Sequence, residues 1–224
     1  MDKLKVIIAA RGGSKRVSGK NIKLLKNKPL IAYPITEAKK CKYISEVYVS
    51  TDDTDIKKVA EEYGAKIIMR PKKYATDTTL DIDVMRHVVR VLNDEDDIVH
   101  LRATTPIIKS EVIDDAIKYF FDNEMCTGLR SAHEAPETVY KFFSKDGIYW
   151  KGLFDNELDG DYYNWSSQSL PKTYHPNGYV DILRPKQFMK SDNLHGDKML
   201  AFITPFTYEV DTPDDFRILE AIHG

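Results

Sequence analysis

The stretch Leu4-Lys5-Val6-Ile7-Ile8-Ala9-Ala10-Arg11-Gly12-Gly13-Ser14-Lys15 decides the fold. Its first seven residues are apolar but for Lys5, too continuous for a strand with one wet face. They predict a strand buried on both sides, the habit of a parallel sheet covered by helices. Outward from it, apolar strands alternate with amphipathic helices. A helix is expected over Leu30–Cys41, a strand over Glu46–Thr51, a helix over Asp53–Tyr63 stopped by Gly64, and a strand over Ala65–Met69. From Thr79 to Asn93, Leu80, Val84, Val88 and Leu92 recur every four residues, the stripe of a half-buried helix. A strand at Ile98–Leu101 and a helix from Ser110 to about Phe121 follow. This alternation predicts an α/β fold built on a mainly parallel sheet.

Beyond Ala132 the pattern changes. The chain turns aromatic and polar, with strand-like pieces at Tyr140–Ser144 and Ile148–Lys151 and an irregular stretch over Asp155–His175. Strand signals return at Tyr179–Leu183 and Leu200–Thr204. A last helix is announced by Thr212 as N-cap, Pro213 at the first position and Asp215 three residues after the cap. The expected organisation is an α/β core formed by residues 1–132 and 184–224, carrying a β-rich insertion over residues 133–183.

Composition narrows the function. The 224 residues carry 33 Lys and Arg against 35 Asp and Glu, a net charge of −2, so no global field attracts nucleic acid. No window approaches the roughly 18 apolar residues of a membrane span, and the apolar run near the start is too short for a secretory signal. Cys41 and Cys126 form neither a CxxC pair nor a disulfide framework, which suits a reducing cytoplasm.

The chemistry concentrates after the first strand. Residues 11–21, Arg-Gly-Gly-Ser-Lys-Arg-Val-Ser-Gly-Lys-Asn, hold four cations and three glycines in eleven residues, with no acid. In an open α/β sheet ligands bind beyond the carboxyl ends of the strands, where this loop falls. Glycines let backbone N–H groups approach an anion, and flanking cations balance its charge. A polyphosphate is the expected guest; the alternative is a solvated basic turn. Two common phosphate motifs fail: Ser14 and Asn21 break the Walker A pattern around Gly19-Lys20, and the spaced glycines of a dinucleotide fingerprint are missing.

Ala10-Arg11-Gly12-Gly13-Ser14-Lys15 with Val17, Lys20 and Asn21 resembles the signature A-R-x-G-S-K-x-[IV]-x-x-K-N of the CMP-sugar synthetases, the acylneuraminate cytidylyltransferase family. Further matches are Ser50-Thr51-Asp52-Asp53, Arg70-Pro71 with Ala75-Thr76-Asp77, Thr104-Thr105-Pro106, Leu170-Pro171-Lys172 with Asn177-Gly178, and Glu209-Val210-Asp211-Thr212-Pro213. The resemblance implies a Rossmann-like nucleotidyltransferase core and transfer of CMP from CTP to the anomeric hydroxyl of a sialic acid-like 2-keto sugar acid, with release of pyrophosphate. It implies that Arg11, Ser14, Lys15 and Lys20 hold the triphosphate, with Ala10 and Gly13 beside it and Asn21 on the ribose. Arg70, Thr79 and Asp81 fall near the cytosine, and Thr104, Lys141, Gln168 and Asn177 near the sugar. The β-rich insertion resembles the family's dimerisation segment, which implies a homodimer.

Glu209 and Asp211 flank Val210 at the expected end of the last strand, where side chains two apart point the same way. One or two carboxylates, completed by water and phosphates, are a usual Mg²⁺ site. The other use of acids here is to complement a helix dipole, a role that suits Asp214 and Asp215. The resemblance assigns Glu209 and Asp211 to Mg²⁺, in an in-line attack on the α-phosphorus with Arg11, Lys15 and Lys20 offsetting charge.

Some positions depart from the family pattern. Ser167 stands where the family commonly has Arg in R-Q-x-L-P, and Arg102 stands at the usual Gln of L-Q-P-T-S-P-x-R. Arg102 therefore either takes over the sugar's carboxylate or pairs with a nearby acid. Asp181 replaces an apolar or Tyr position and either accepts bonds from a sugar substituent or caps a neighbouring strand. The six histidines, His223 among them, show no metal-ligand spacing. The competing readings are a nucleotidyltransferase with another NTP or sugar, and a non-catalytic nucleotide-binding protein.

Overall fold

A computed structural model describes residues 3–222 of the chain; His223 lies outside the described residues. The elements run β1 (Leu4–Ala9), β2 (Leu24–Leu25), β3 (Lys28–Pro29), α1 (Ala32–Lys40), β4 (Ile44–Thr51), α2 (Thr54–Glu62), β5 (Lys66–Met69) and α3 (Asp81–Leu92). They continue with β6 (Ile98–Arg102), α4 (Ser110–Phe121), β7 (Gly128–Glu134), β8 (Phe143–Asp146), β9 (Tyr149–Gly152), β10 (Tyr174–Leu183), α5 (Pro185–Phe188), β11 (Met199–Ile203) and α6 (Pro213–Ile222). Seven strands form one sheet in the order β11-β7-β10-β6-β1-β4-β5. All pairings are parallel except those of β10, which runs antiparallel between β6 and β7.

β1 sits near the middle and is buried on both faces, which is why its sequence does not alternate. Val6 and Ile8 pack into the cluster containing Ile35 of α1, Ile56 of α2 and Ile117 of α4. Ile7 faces the other way, against Met85 and Val88 of α3 and Phe188 of α5. Each such side chain contributes roughly 1.5–3 kcal/mol by leaving water. The α3 stripe keeps Val84, Val88 and the partly buried Leu92 of the expected one but loses Leu80 and is broader. Leu80 is 64% exposed and precedes the helix, while Ile82, Val84, Met85, Val88 and Val89 are buried. The reason is a wider apolar face, since α3 packs on Ile7, Ile68 and Ile98 of the sheet as well as on Phe188 of α5.

A third cluster positions the site. Val210 and, from α6, Phe216 and Leu219 pack against Val17 and Leu25. The amino end of α6 is closed reciprocally: Asp215 N–H donates to Thr212 Oγ1 at 3.3 Å, and Thr212 N–H donates to Asp215 Oδ2 at 2.7 Å. The backbone between β11 and α6 is irregular rather than strand, and Val210 N–H donates to the Thr104 carbonyl at 2.8 Å. The C-terminal part of the chain is thereby pinned beside the loop after β1.

Within the stretch 133–183, β8 and β9 form a separate hairpin, followed by 3₁₀ turns at Tyr162–Asn164 and Ser167–Ser169. β10 begins earlier than its apolar residues suggest and belongs wholly to the main sheet: Tyr174–Pro176 pair with β7 and Asp181–Leu183 lie between β7 and β6. No helix among the described residues is long and apolar enough to cross a membrane.

Candidate active site

The carboxyl end of β1 opens into a cavity of about 500 Å³ lined by Arg11, Ser14, Lys15, Arg16, Lys20, Asn21, Asp77, Thr104 and Asp211, with Ala9 and Val17 behind. The structure thus brings together Arg11, Ser14, Lys15, Lys20, Asn21, Thr104 and Asp211. Two glycine constraints shape the loop. Gly12 is pressed against the start of α2, where a Cβ would run into the Asp53 carboxylate, and its N–H donates to Asp52 Oδ1 at 3.1 Å. Gly19 takes φ +62°, which turns the chain into the short helix Lys20–Ile22.

Lys20 reaches across to the far end of the sequence, donating to Val210 O at 2.7 Å and Asp211 Oδ1 at 2.9 Å. Arg16 lies 3.9 Å from the other Asp211 oxygen. Asn21 is buried, and its side-chain N–H donates to the Arg11 carbonyl at 2.9 Å, so it braces the loop as well as lining the cavity. Of the two small residues expected beside the nucleotide, Ala10 is buried with its N–H on the Ser50 carbonyl, and Gly13 is exposed. Ala9 takes the place on the cavity wall that Ala10 was expected to hold.

A second cavity of about 240 Å³ adjoins the first and collects Arg70, Thr79 and Asp81, the three residues expected near a base. Arg70 is 7% exposed with no partner on Nε, and burial lowers its pKa. Arg11 and Asp77 line both cavities. Arg11 Nη1 stands 2.8 Å from Asp77 Oδ1, and Lys15 pairs with the other Asp77 oxygen. Asp77 and Arg16 are residues that sequence reasoning did not single out. Arg16 lies in the basic run itself, and Asp77 lies in the matched run Ala75-Thr76-Asp77.

Because β11 ends at Ile203, the strand geometry expected to aim Glu209 and Asp211 the same way does not apply; both are exposed, flanking buried Val210 in the chain. Thr104 Oγ1 donates to Glu209 Oε1 at 2.9 Å. Among the described residues no group of three or more His, Cys, Asp or Glu could hold a metal ion by itself. Asp211 lines the cationic cavity and Glu209 adjoins it through Thr104, a pair that nevertheless fits Mg²⁺, which is commonly bound by one or two carboxylates plus substrate phosphates.

The residues expected near a sugar divide. Lys141 and Gln168 sit in 3₁₀ turns of the insertion and line neither cavity. Asn177 is 3% exposed: Ser131 Oγ donates to its Oδ1 at 2.9 Å, and its Nδ2 donates to Thr204 Oγ1 at 2.6 Å. Those bonds lock β10 to β7 and the end of β11, so the expected sugar contact is corrected to an internal tie. Asp181 is corrected likewise. It is 2% exposed beneath the sheet, 3.6 Å from Arg102 Nη2, 3.9 Å from His100 Nδ1 and 3.7 Å from His195 Nε2. Arg102 Nη1 donates to Asp81 Oδ2 at 2.6 Å, so the guanidinium bridges two acids. An acid replacing an apolar residue in β10 and an arginine replacing Gln at the end of β6 are therefore one compensated change.

Burial disfavours the charge of Arg102, but Asp81 and Asp181 outweigh it and raise its pKa. Burial also works against ionised Asp181, yet nearby His195, His100 and Arg102 hold its carboxyl below the usual range. His100 goes the other way. Burial, reinforced by Arg102, pushes its imidazole down to about 4. Unfolded histidine titrates near 6.5, so between these values the unfolded chain binds a proton that the folded chain refuses. This contribution to stability is present above about pH 6.5 and is lost as pH falls toward 4, a difference on the order of 3 kcal/mol. Melting temperature should therefore fall more steeply over pH 6.5–4 in the wild type than in His100→Gln. Parallel curves would remove His100 as the cause.

Comparison with known proteins gives the family and the fold. The family described as Cytidylyltransferase matches residues 5–184. The chain is 29% identical over 220 residues to the N-acylneuraminate cytidylyltransferase of Escherichia coli O18:K1:H7, covering 96% of this chain but only 51% of that protein. It is 29% identical over 224 residues to the pseudaminic acid cytidylyltransferase of Campylobacter jejuni, covering 97% and 94% of the two chains. The chain thus spans about half the length of the first relative and nearly all of the second. The fold superposes on CMP:2-keto-3-deoxy-manno-octonic acid synthetase, solved in complex with CTP, with a TM-score of 0.75 at 17% identity, covering 99% and 98% of the chains.

Proposed function

We propose that this chain, which belongs to the cytidylyltransferase family, transfers CMP from CTP to the anomeric hydroxyl of an acidic 2-keto sugar and releases pyrophosphate. The observation that carries the reading is the cavity in which Arg11, Lys15 and Lys20, from one end of the sequence, meet Asp211 from the other. The names of the relatives support the class of sugar, since they act on N-acylneuraminate and on pseudaminic acid.

In the proposed reaction the sugar hydroxyl attacks the α-phosphorus in line. The new oxygen–phosphorus bond forms as the bond to the β-phosphate's bridging oxygen breaks, and the hydroxyl proton passes to solvent. Arg11 and Lys15 bind and orient the triphosphate and offset the charge that grows on departing pyrophosphate. Lys20, fixed by Val210 O and Asp211, brings a third cation to the same cavity. Arg70, Thr79 and Asp81 receive the base in the adjoining cavity. Arg102 we assign to holding Asp81 there rather than to the sugar's carboxylate, since both its arms already face acids. Glu209 and Asp211 would hold Mg²⁺, which when bound supplies charge neutralisation of the phosphates and acidification of the attacking hydroxyl. Positioning and electrostatics suffice for such a transfer without a protein nucleophile.

The insertion is proposed to pair two copies of the chain. Ile148, Tyr149 and Trp150, at and just after the hairpin turn, are 71–85% exposed, and Phe142 and Phe143 nearby are more than two-fifths exposed. An apolar patch of that kind marks an interface. The function is tested by measuring pyrophosphate release with Mg²⁺, each of the four NTPs and a panel of 2-keto sugar acids. Release is expected with CTP and an acidic 2-keto sugar together. Equal rates with all four NTPs, or with an aldose 1-phosphate instead of the keto acid, would replace the reading.

A further inference from the structure

We infer that Asp77 is an internal anion that occupies the polyphosphate-binding cations Arg11 and Lys15 and must swing away before a nucleotide spans the two cavities. Its two carboxylate oxygens are divided between the two cations, with Arg11 Nη1 at 2.8 Å from one and Lys15 on the other. That places a pair of oxygens where two phosphate oxygens would otherwise sit. Asp77 and Arg11 line both the larger cavity and the smaller one, so their bridge stands between the compartments. A ligand with its phosphates in one and its base in the other displaces the bridge.

The carrier of this carboxylate is a small self-contained turn. Thr76 N–H donates to Thr79 Oγ1 at 3.1 Å, and the hydroxyls of Thr76 and Thr79 lie 2.8 Å apart. Asp77 ties that turn to the loop after β1. Lys15 and, less strongly, Arg11 hold its carboxyl below the ordinary range, so it carries its charge at neutral pH. Both cation partners and Asp77 itself keep contact with water, which makes the bridge exchangeable rather than structural. The consequence is competition. Asp77 opposes anion binding and, after transfer, returns to the cations and hastens the departure of pyrophosphate.

The inference takes the anion's identity from the proposed reaction, but its test does not need turnover. Inorganic pyrophosphate binding is measured by calorimetry in divalent-free buffer for the wild type, Asp77→Asn and Asp197→Asn. Asp197 is exposed, lies at the opposite ends of the parallel strands, just before β11, and controls for net charge. Asp77→Asn should bind about three- to tenfold tighter, the range that two solvent-screened ion pairs supply, while Asp197→Asn stays at the wild-type value. Amide exchange over residues 75–80 should quicken when pyrophosphate is added to the wild type. In Asp77→Asn it should already be fast and stay unchanged. Unchanged, weaker or undetectable binding by Asp77→Asn, or slower exchange in the wild type on binding, overturns the inference. If no NTP is turned over yet Asp77→Asn still binds more tightly, the proposed reaction fails and the internal anion stands.

Discussion

Lys15→Ala is expected to cut pyrophosphate release from CTP by about 100- to 1000-fold, the usual loss when one well-placed charge-stabilising donor is removed from a site of this kind. The Lys15 side chain is 81% exposed and packs against no core cluster, so its removal should leave the fold as it was. Surface truncations of that sort shift stability by only about half a kcal/mol. The loss would thus be chemical: one cation fewer facing phosphates whose charge grows as the α–β bond breaks. Steady-state pyrophosphate release and a thermal melt on the same samples separate the two effects. Near-wild-type release with an unchanged melt would return residues 11–21 to the status of a solvated basic turn.

Asp211→Ala should be comparably severe, again about 100-fold or more, for two reasons that a second substitution separates. Asp211 accepts a bond from Lys20 at 2.9 Å, and it is one of two exposed carboxylates beside the cationic cavity. Asp211→Asn retains an oxygen for Lys20 but loses the charge that would bind Mg²⁺. If metal binding dominates, Asn should be nearly as poor as Ala, and half-maximal activity should require more Mg²⁺. If placing Lys20 dominates, Asn should recover most of the rate with an unchanged Mg²⁺ dependence. Asp215, which accepts from the Asp211 N–H at 2.8 Å, keeps the local backbone in place in both variants.

Much of this was legible in the sequence because it depended on local rules. The unbroken apolar run of β1 required a sheet covered on both faces, and the structure supplies Ile35 and Ile56 on one side and Met85 and Val88 on the other. The Thr212–Asp215 spacing announced the cap of α6, and the basic run after β1 announced a cavity. What failed to show were properties that belong to pairs. β7 was not anticipated because Gly-Leu-Arg-Ser-Ala-His-Glu has no apolar alternation; its burial comes from having β10 and β11 on either side. Asp181 in β10 was legible only as an anomaly, because nothing local reveals that His100 lies opposite and Arg102 within 3.6 Å. Asp77 stood in a matched run, but its pairing was hidden for the same reason: a single acid in a threonine-rich turn carries no sign that Arg11 and Lys15 close upon it.

The bond between Lys20 and Asp211 joins residues 191 apart in the chain. At about 5–20 residues per second, a ribosome makes the lysine roughly 10–40 s before the aspartate that completes its surroundings. The Lys20–Asp211 contact therefore cannot form until residue 211 has been made, whereas Arg11, Lys15 and Asp77 all lie within the first 77 residues.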